Sequence, residues 1–231
     1  MEKQLYQYIL WIHVLSGFIS LLTGTMILFA KKGKGFHQVA GRFYYWGMAG
    51  VFVTTLGLLA ISPTQPRLWF FTIVAVVSFY QTFTGRRALD SKKGAEVKVR
   101  ISDWLALGIV LLGGMVSIAL SIWNAYQGQV FYVVLFCFFA ILGISTAYQD
   151  LLVFTGKKPK VHWLFHHVGR MMGSFAATTT AFIVNIGPRF MPENLPIGGY
   201  LVMWIFPGVL IGYLSARWIR KRKDQMALQK A

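Results

Sequence analysis

The sequence predicts an all-α polytopic membrane protein, a bundle of seven transmembrane helices. Three observations predict it. Of the 231 residues, 13% are charged and 56% hydrophobic, whereas a soluble domain carries about 25% charged residues. The hydrophobic residues come in blocks of about 20, the length that crosses a bilayer. Short segments rich in glycine, proline and lysine separate those blocks.

Taken in order, the blocks place spans at about 5–30, 38–62, 67–88, 103–126, 129–154, 163–187 and 197–219. The first run, Leu5 to Ala30, is too long for a signal h-region and no small-residue cleavage site follows. It is therefore expected to be a membrane helix. KKGKG ends it, SPTQPR ends the second and DSKKGAEVKVR ends the third. NAYQGQ, TGKKPK and GPRFMPENLPIGG follow the fourth, fifth and sixth. Residues 1–231 read as a single transmembrane domain, closed by a short basic tail at 220–231 that is expected to fray and to touch anionic headgroups.

The loop charges predict the orientation. With the N-terminus outside, cytoplasmic segments hold Lys31, Lys32, Lys34, Arg42, Arg86, Arg87, Lys92, Lys93, Lys98 and Arg100. They also hold Lys157, Lys158, Lys160, Arg170, Arg217, Arg220, Lys221, Arg222, Lys223 and Lys230, leaving Lys3, Arg67 and Arg189 outside. That asymmetry puts the C-terminus in the cytoplasm and requires an odd number of spans. Trp69, Trp104, Trp123, Trp163 and Trp218 fall near span ends, as an interfacial belt requires. The net charge of +16 is thus explained by topology, and no nucleic-acid partner is expected. Cys137, the single cysteine, lies in an apolar block and identifies no redox compartment.

Polar residues inside the spans mark candidate sites. At 100° per residue, Leu164, Phe165, Val168, Met171, Met172, Phe175, Phe182, Ile183 and Ile186 of the sixth span form a lipid-facing side. His162, His166, Gly173, Ala177 and Thr180, flanked by His167, Ser174, Thr178 and Asn185, form the side expected to face the bundle, with Arg170 between the rows. On the first span, Tyr6, His13, Gly17, Ser20 and Gly24 align. Small residues there permit close helix approach, and His13 reads most simply as an interhelical hydrogen bond. Asp150 lies about one turn inside the fifth span and needs a cation or a proton. Arg170, Arg42 or a histidine of the sixth span stand at a similar depth, as do Gln81 and Thr84. His37, Arg42, Gln81, Asp150, His166, His167 and Arg170 are therefore the candidate ligand-binding residues, in the cytoplasmic half of the bundle. The bland alternative is an interfacial basic belt with one structural ion pair.

HQVAGR at 37–42 and HHVGR at 166–170 open spans two and six, which run in the same direction. A 3+1+3 parallel repeat would produce that arrangement.

Three chemistries fit such a site. Histidines on different helices, among His13, His37, His162, His166 and His167, could ligate heme b. However, Arg42 and Arg170 lie deeper than His37 and His166, so propionates paired with them would point into the membrane. His162 and His166, four residues apart, suit two ligands of one zinc in a metal hydrolase, with Asp150 or His37 completing the set. Histidine and arginine near helix N-termini suit a phosphate or carboxylate. A retinal protein is excluded, because 197–219 contains no lysine for a Schiff base.

HVLSG in the first span, KKGKGFHQVAGRFYY, GRRALDSKK and HHVGRMMGSFAATTTAFIVN resemble the domain of unknown function 2306 family of predicted bacterial membrane proteins. The resemblance matches His13, His37, Gly41 and Arg42 to the family motif, with Gln38 where the family often has arginine. It implies a bacterial cytoplasmic membrane and assigns no activity. The leading expectation is a protein that binds or transports a small or anionic ligand. The alternatives are a heme- or metal-dependent oxidoreductase or hydrolase, and an accessory subunit. Expected partners are membrane lipids and, for the subunit reading, another membrane protein or a second copy.

Overall fold

The computed structural model describes residues 2–31, 33, 35–92, 99–157, 161–192 and 196–228. Lys32, Lys34, Lys93, Lys98, Lys158, Lys160 and Lys230, which entered the orientation argument, lie outside the described residues. The described residues form α1 (Glu2–Phe29), α2 (Phe36–Ile61), α3 (Pro66–Arg87), α4 (Ile101–Tyr126), α5 (Val130–Phe154), α6 (Trp163–Ile186) and α7 (Ile197–Leu228). Single 3₁₀ turns follow α3 and α6. The architecture is all-α, and every helix begins or ends close to a break in the apolar pattern. Six of the helices are long and apolar enough to cross a membrane, which makes this a multi-pass membrane architecture. The exception is α6, whose hydropathy is lowered by His166, His167, Arg170, Ser174, three consecutive threonines from Thr178 and Asn185.

The chain divides into two compact units, Met1–Tyr80 with Val99–Pro159, and Gln81–Lys98 with Lys160–Ala231. In the first unit α1 lies on α2 and α4 on α5. Lipid tails are as apolar as leucine, so such pairs need close packing and polar contacts instead of hydrophobic burial. The α1–α2 seam has both. A Cβ on Gly50 would stand 2.6 Å from Ser16 Oγ, and one on Gly47 would overlap the Ser20 hydroxyl and meet the Ser16 carbonyl at 3.0 Å. Only glycine lets the backbones come this near.

The α4–α5 seam is held differently. Ser117 Oγ donates to the Phe136 carbonyl at 2.8 Å and Ser121 Oγ to that of Val133 at 3.2 Å. Between the helices, Gly143 sits against Val77 and Val110. The core gathers Val76, Val77, Tyr80, Leu107, Val110 and Ala147. Above it Phe70 meets Phe136 and Phe139 edge-on, the arrangement aromatic pairs prefer. The apolar stretch of α3 is 72% buried, against 33% or less for those of the other five spanning helices. Most of its apolar residues therefore face protein, with Trp69 exposed near its start.

The second unit is built around α6, which packs on α7. Ile219 of α7 meets Gly169 of α6, and Lys223 Nζ stands 5.3 Å above the Phe165 ring. Four residues forward on α7 correspond to four backward on α6, so the pair is antiparallel. The expected tail is corrected here: α7 continues unbroken to Leu228. Lysine and arginine are good helix formers, and a contact at Lys223 ties down the extension.

Two expectations for the faces of α6 are also corrected. Phe175, assigned to the lipid side, is buried. Asn185, assigned to the interior, is exposed, and its amide donates to the Ala181 carbonyl at 2.7 Å.

Candidate functional site

The candidate residues divide between the two units: His13, His37, Arg42 and Asp150 in the first, Gln81, His162, His166, His167 and Arg170 in the second.

In the first unit His13 is a structural link. Its Nδ1 lies 3.0 Å from Thr54 Oγ1 and 3.4 Å from Thr55 Oγ1. Both hydroxyls donate to carbonyls one turn back, Thr54 to Gly50 and Thr55 to Val51. Their lone pairs are what remains, so His13 Nδ1–H is the donor across the seam. His37 is half-buried in the first turn of α2, and Arg42 is exposed. Asp150 is 3% exposed, and its Oδ2 accepts from the Tyr80 hydroxyl, itself 3% exposed, at 2.7 Å. Tyr80 did not figure among the sequence candidates. Its signal was only its place beside Gln81 at the depth of Asp150.

In the second unit the end of α3 and the start of α6 assemble a polar cluster. Thr82 Oγ1 and Ser174 Oγ are 2.6 Å apart, both buried. One turn along, His167 Nδ1 lies 2.8 Å from the Gly85 carbonyl. Gly85 is in the last turn of α3, where carbonyls lack intrahelical amides, so the ring caps α3 as a donor. Arg170 Nε donates to His166 Nε2 at 3.1 Å, and Arg170 is only 8% exposed. Two glycines make room. A Cβ on Gly85 would stand 3.0 Å from Arg170 Cβ, and one on Gly173 would overlap the Gln81 amide. At the mouth, Lys92 Nζ stands 5.5 Å from the Trp163 ring centroid. Thr82, Gly85 and Lys92 are further members that the sequence did not single out.

His162 is exposed and is the N-cap of α6, with Nδ1 accepting from the Leu164 amide at 3.4 Å. The i,i+4 pair expected for zinc thus has one ring nitrogen of each histidine engaged within α6, His162 by Leu164 and His166 by Arg170. Among the described residues no group of three or more His, Cys, Asp or Glu side chains could hold a metal ion.

The two similar phrases meet different surroundings, with Arg42 exposed and Arg170 buried. No protein-family model, curated protein or solved structure matches this chain.

Proposed function

We propose that this is a membrane protein that binds or transports a small anionic ligand, with its site in the cluster of Gln81, His166, His167 and Arg170. The observation that carries the reading is a guanidinium buried at 8% exposure in a helix of a membrane bundle. Ionisable groups in such places are costly and mark ligand or ion pathways. The unit around it favours anions: residues 81–98 and 160–231 contain 14 basic and 4 acidic residues. His37, Arg42 and Asp150 enter the same reading as candidates from the first unit.

The proposal includes seven spans, with α6 the seventh. Its 24 residues extend about 36 Å at 1.5 Å per residue, enough to cross. A helix whose polar side meets protein need not be apolar all round. The loop charges support an outside N-terminus and a cytoplasmic C-terminus, and the resemblance to predicted bacterial membrane proteins supports a bacterial cytoplasmic membrane. Kinship with the domain of unknown function 2306 family rests on His13, His37, Gly41 and Arg42. The 3+1+3 duplication draws support from the two short phrases alone.

Thermal unfolding of the detergent-purified protein tests the anion site. Phosphate, sulfate or a small carboxylate should raise the midpoint beyond chloride at equal ionic strength, since a ligand that binds only the folded state stabilises it. Arg170→Gln should abolish that difference. If no anion exceeds chloride, the reading fails. An absorption spectrum with elemental analysis covers the rivals: a Soret band would replace it with heme chemistry, and stoichiometric zinc with a metal hydrolase.

A further inference from the structure

The end of α7 is an ordered helix that carries its cations on a defined side. Ser215 is buried, and Ile219 and Met226 are half-buried, so one side of the helix faces protein. Stepping 100° per residue from Ile219 puts Arg217 and Lys221 opposite that side, with Arg220 and Trp218 at its flanks. All four are exposed. Lys223 leans over Phe165 and Arg222 Nη1 donates to Gln225 at 3.1 Å. These two cations are therefore drawn along the helix, and the outward three are left facing the surroundings.

Depth identifies those surroundings. Ile219 is level with Gly169 and Lys223 with Phe165. Arg217, Arg220 and Lys221 thus stand beside the first turns of α6, where His166, His167 and Arg170 mark the polar end of that helix. Just below them on the exposed side of α7 come Leu210, Tyr213 and Leu214, all exposed and apolar or aromatic. An apolar band, then an exposed tryptophan, then three outward cations is the sequence of surfaces that matches acyl chains, interface and phosphate.

We propose that Arg217, Arg220 and Lys221, with Trp218 beside them, form a binding surface for the headgroups of anionic phospholipids. Each cation near such a surface favours anionic over neutral lipid. A rigid helix holds the three together, so the local enrichment is selective for headgroup charge. The surface is separate from the Arg170 cluster, and neither reading needs the other.

Tryptophan quenching by brominated lipids tests the surface. The full-length protein is reconstituted in vesicles of equal phosphatidylglycerol and phosphatidylcholine, with bromine on the chains of one lipid or the other. The quenching lost in Trp218→Phe reports the lipid beside residue 218. Brominated phosphatidylglycerol should be favoured there by about threefold or more. Arg217→Gln/Arg220→Gln/Lys221→Gln should bring the ratio to about one. High salt should reduce the preference read from the wild type against Trp218→Phe, an outcome that does not need the triple variant to fold. Equal quenching by the two lipids at low salt, or a preference untouched by salt, overturns the proposal and leaves the surface to an acidic protein partner.

Discussion

Tyr80→Phe removes one oxygen and tests the hydrogen bond that ends at Asp150. Both residues are 3% exposed and the oxygens are 2.7 Å apart. Phenylalanine fills the same space, so no cavity contributes. The lost donor served a carboxyl oxygen, and hydrogen bonds contribute about 0.5–1.5 kcal/mol between neutral groups and about 1.5–3 to a charged one. Tyr80→Phe should therefore cost between about 0.5 and 3 kcal/mol, a two- to hundredfold change in the folding equilibrium at 1.36 kcal/mol per decade. The assay is reversible unfolding of the detergent-solubilised protein in mixed micelles of rising denaturing-detergent fraction. Asp150→Asn is made alone and with Tyr80→Phe. If the bond carries the energy, the double variant costs less than the two singles added, by about 1 kcal/mol or more. Single costs below about 0.5 kcal/mol, or strict additivity, would show that the pair is a contact without energetic weight.

His13→Ala should loosen the α1–α2 seam by about 0.6–1.7 kcal/mol, from the average to the largest value for interhelical hydrogen bonds in membranes, and His13→Gln should recover part of it; the same unfolding assay checks both. Gly47→Ala should cost about 1–3 kcal/mol, because its new methyl meets the Ser16 backbone carbonyl, 3.0 Å away, as well as the Ser20 hydroxyl. Gly173→Ala should cost less, since the three nearest atoms it meets belong to the Gln81 side chain, and Gln81→Ala should suppress what it does cost. Equal costs at the two glycines would refute the distinction between backbone and flexible obstruction.

The helices were legible in the sequence because membrane thickness sets a length that hydropathy reads directly. The seam at His13 was legible too, since small residues aligned with an imidazole leave few other uses for it. The face of Phe175 was not. Lipid and protein interior are equally apolar, so a phenylalanine pattern cannot tell one from the other. Asn185 misled for the opposite reason: its amide N–H donates to the carbonyl one turn back. Tyr80 escaped notice because the acceptor it serves is 70 residues away and no spacing rule connects α3 with α5. The extended α7 was hidden by composition, where a run of basic residues suggests a solvated tail until Phe165 supplies something for Lys223 to rest on.

The polar groups of this chain fall into two classes, and the division bears on function. Most hydroxyls within the helices fold back on their own backbone, as Thr23, Thr25, Thr72 and Thr146 do. A few reach across to another helix: Ser117 and Ser121 on the α4–α5 seam, His13 on the α1–α2 seam, Thr82 with Ser174 in the second unit. One or two such links set the register of a helix pair, because neighbouring positions along the helix lack the matching group. The contact between α3 and α6 already has that link in Thr82 and Ser174, and a cap for α3 in His167. Arg170 and His166 exceed what register requires, and a buried guanidinium is costly to keep in a membrane bundle. The proposed anion site would give that polarity a use, and an Arg170→Gln protein as stable as the parent and blind to anions would be its signature.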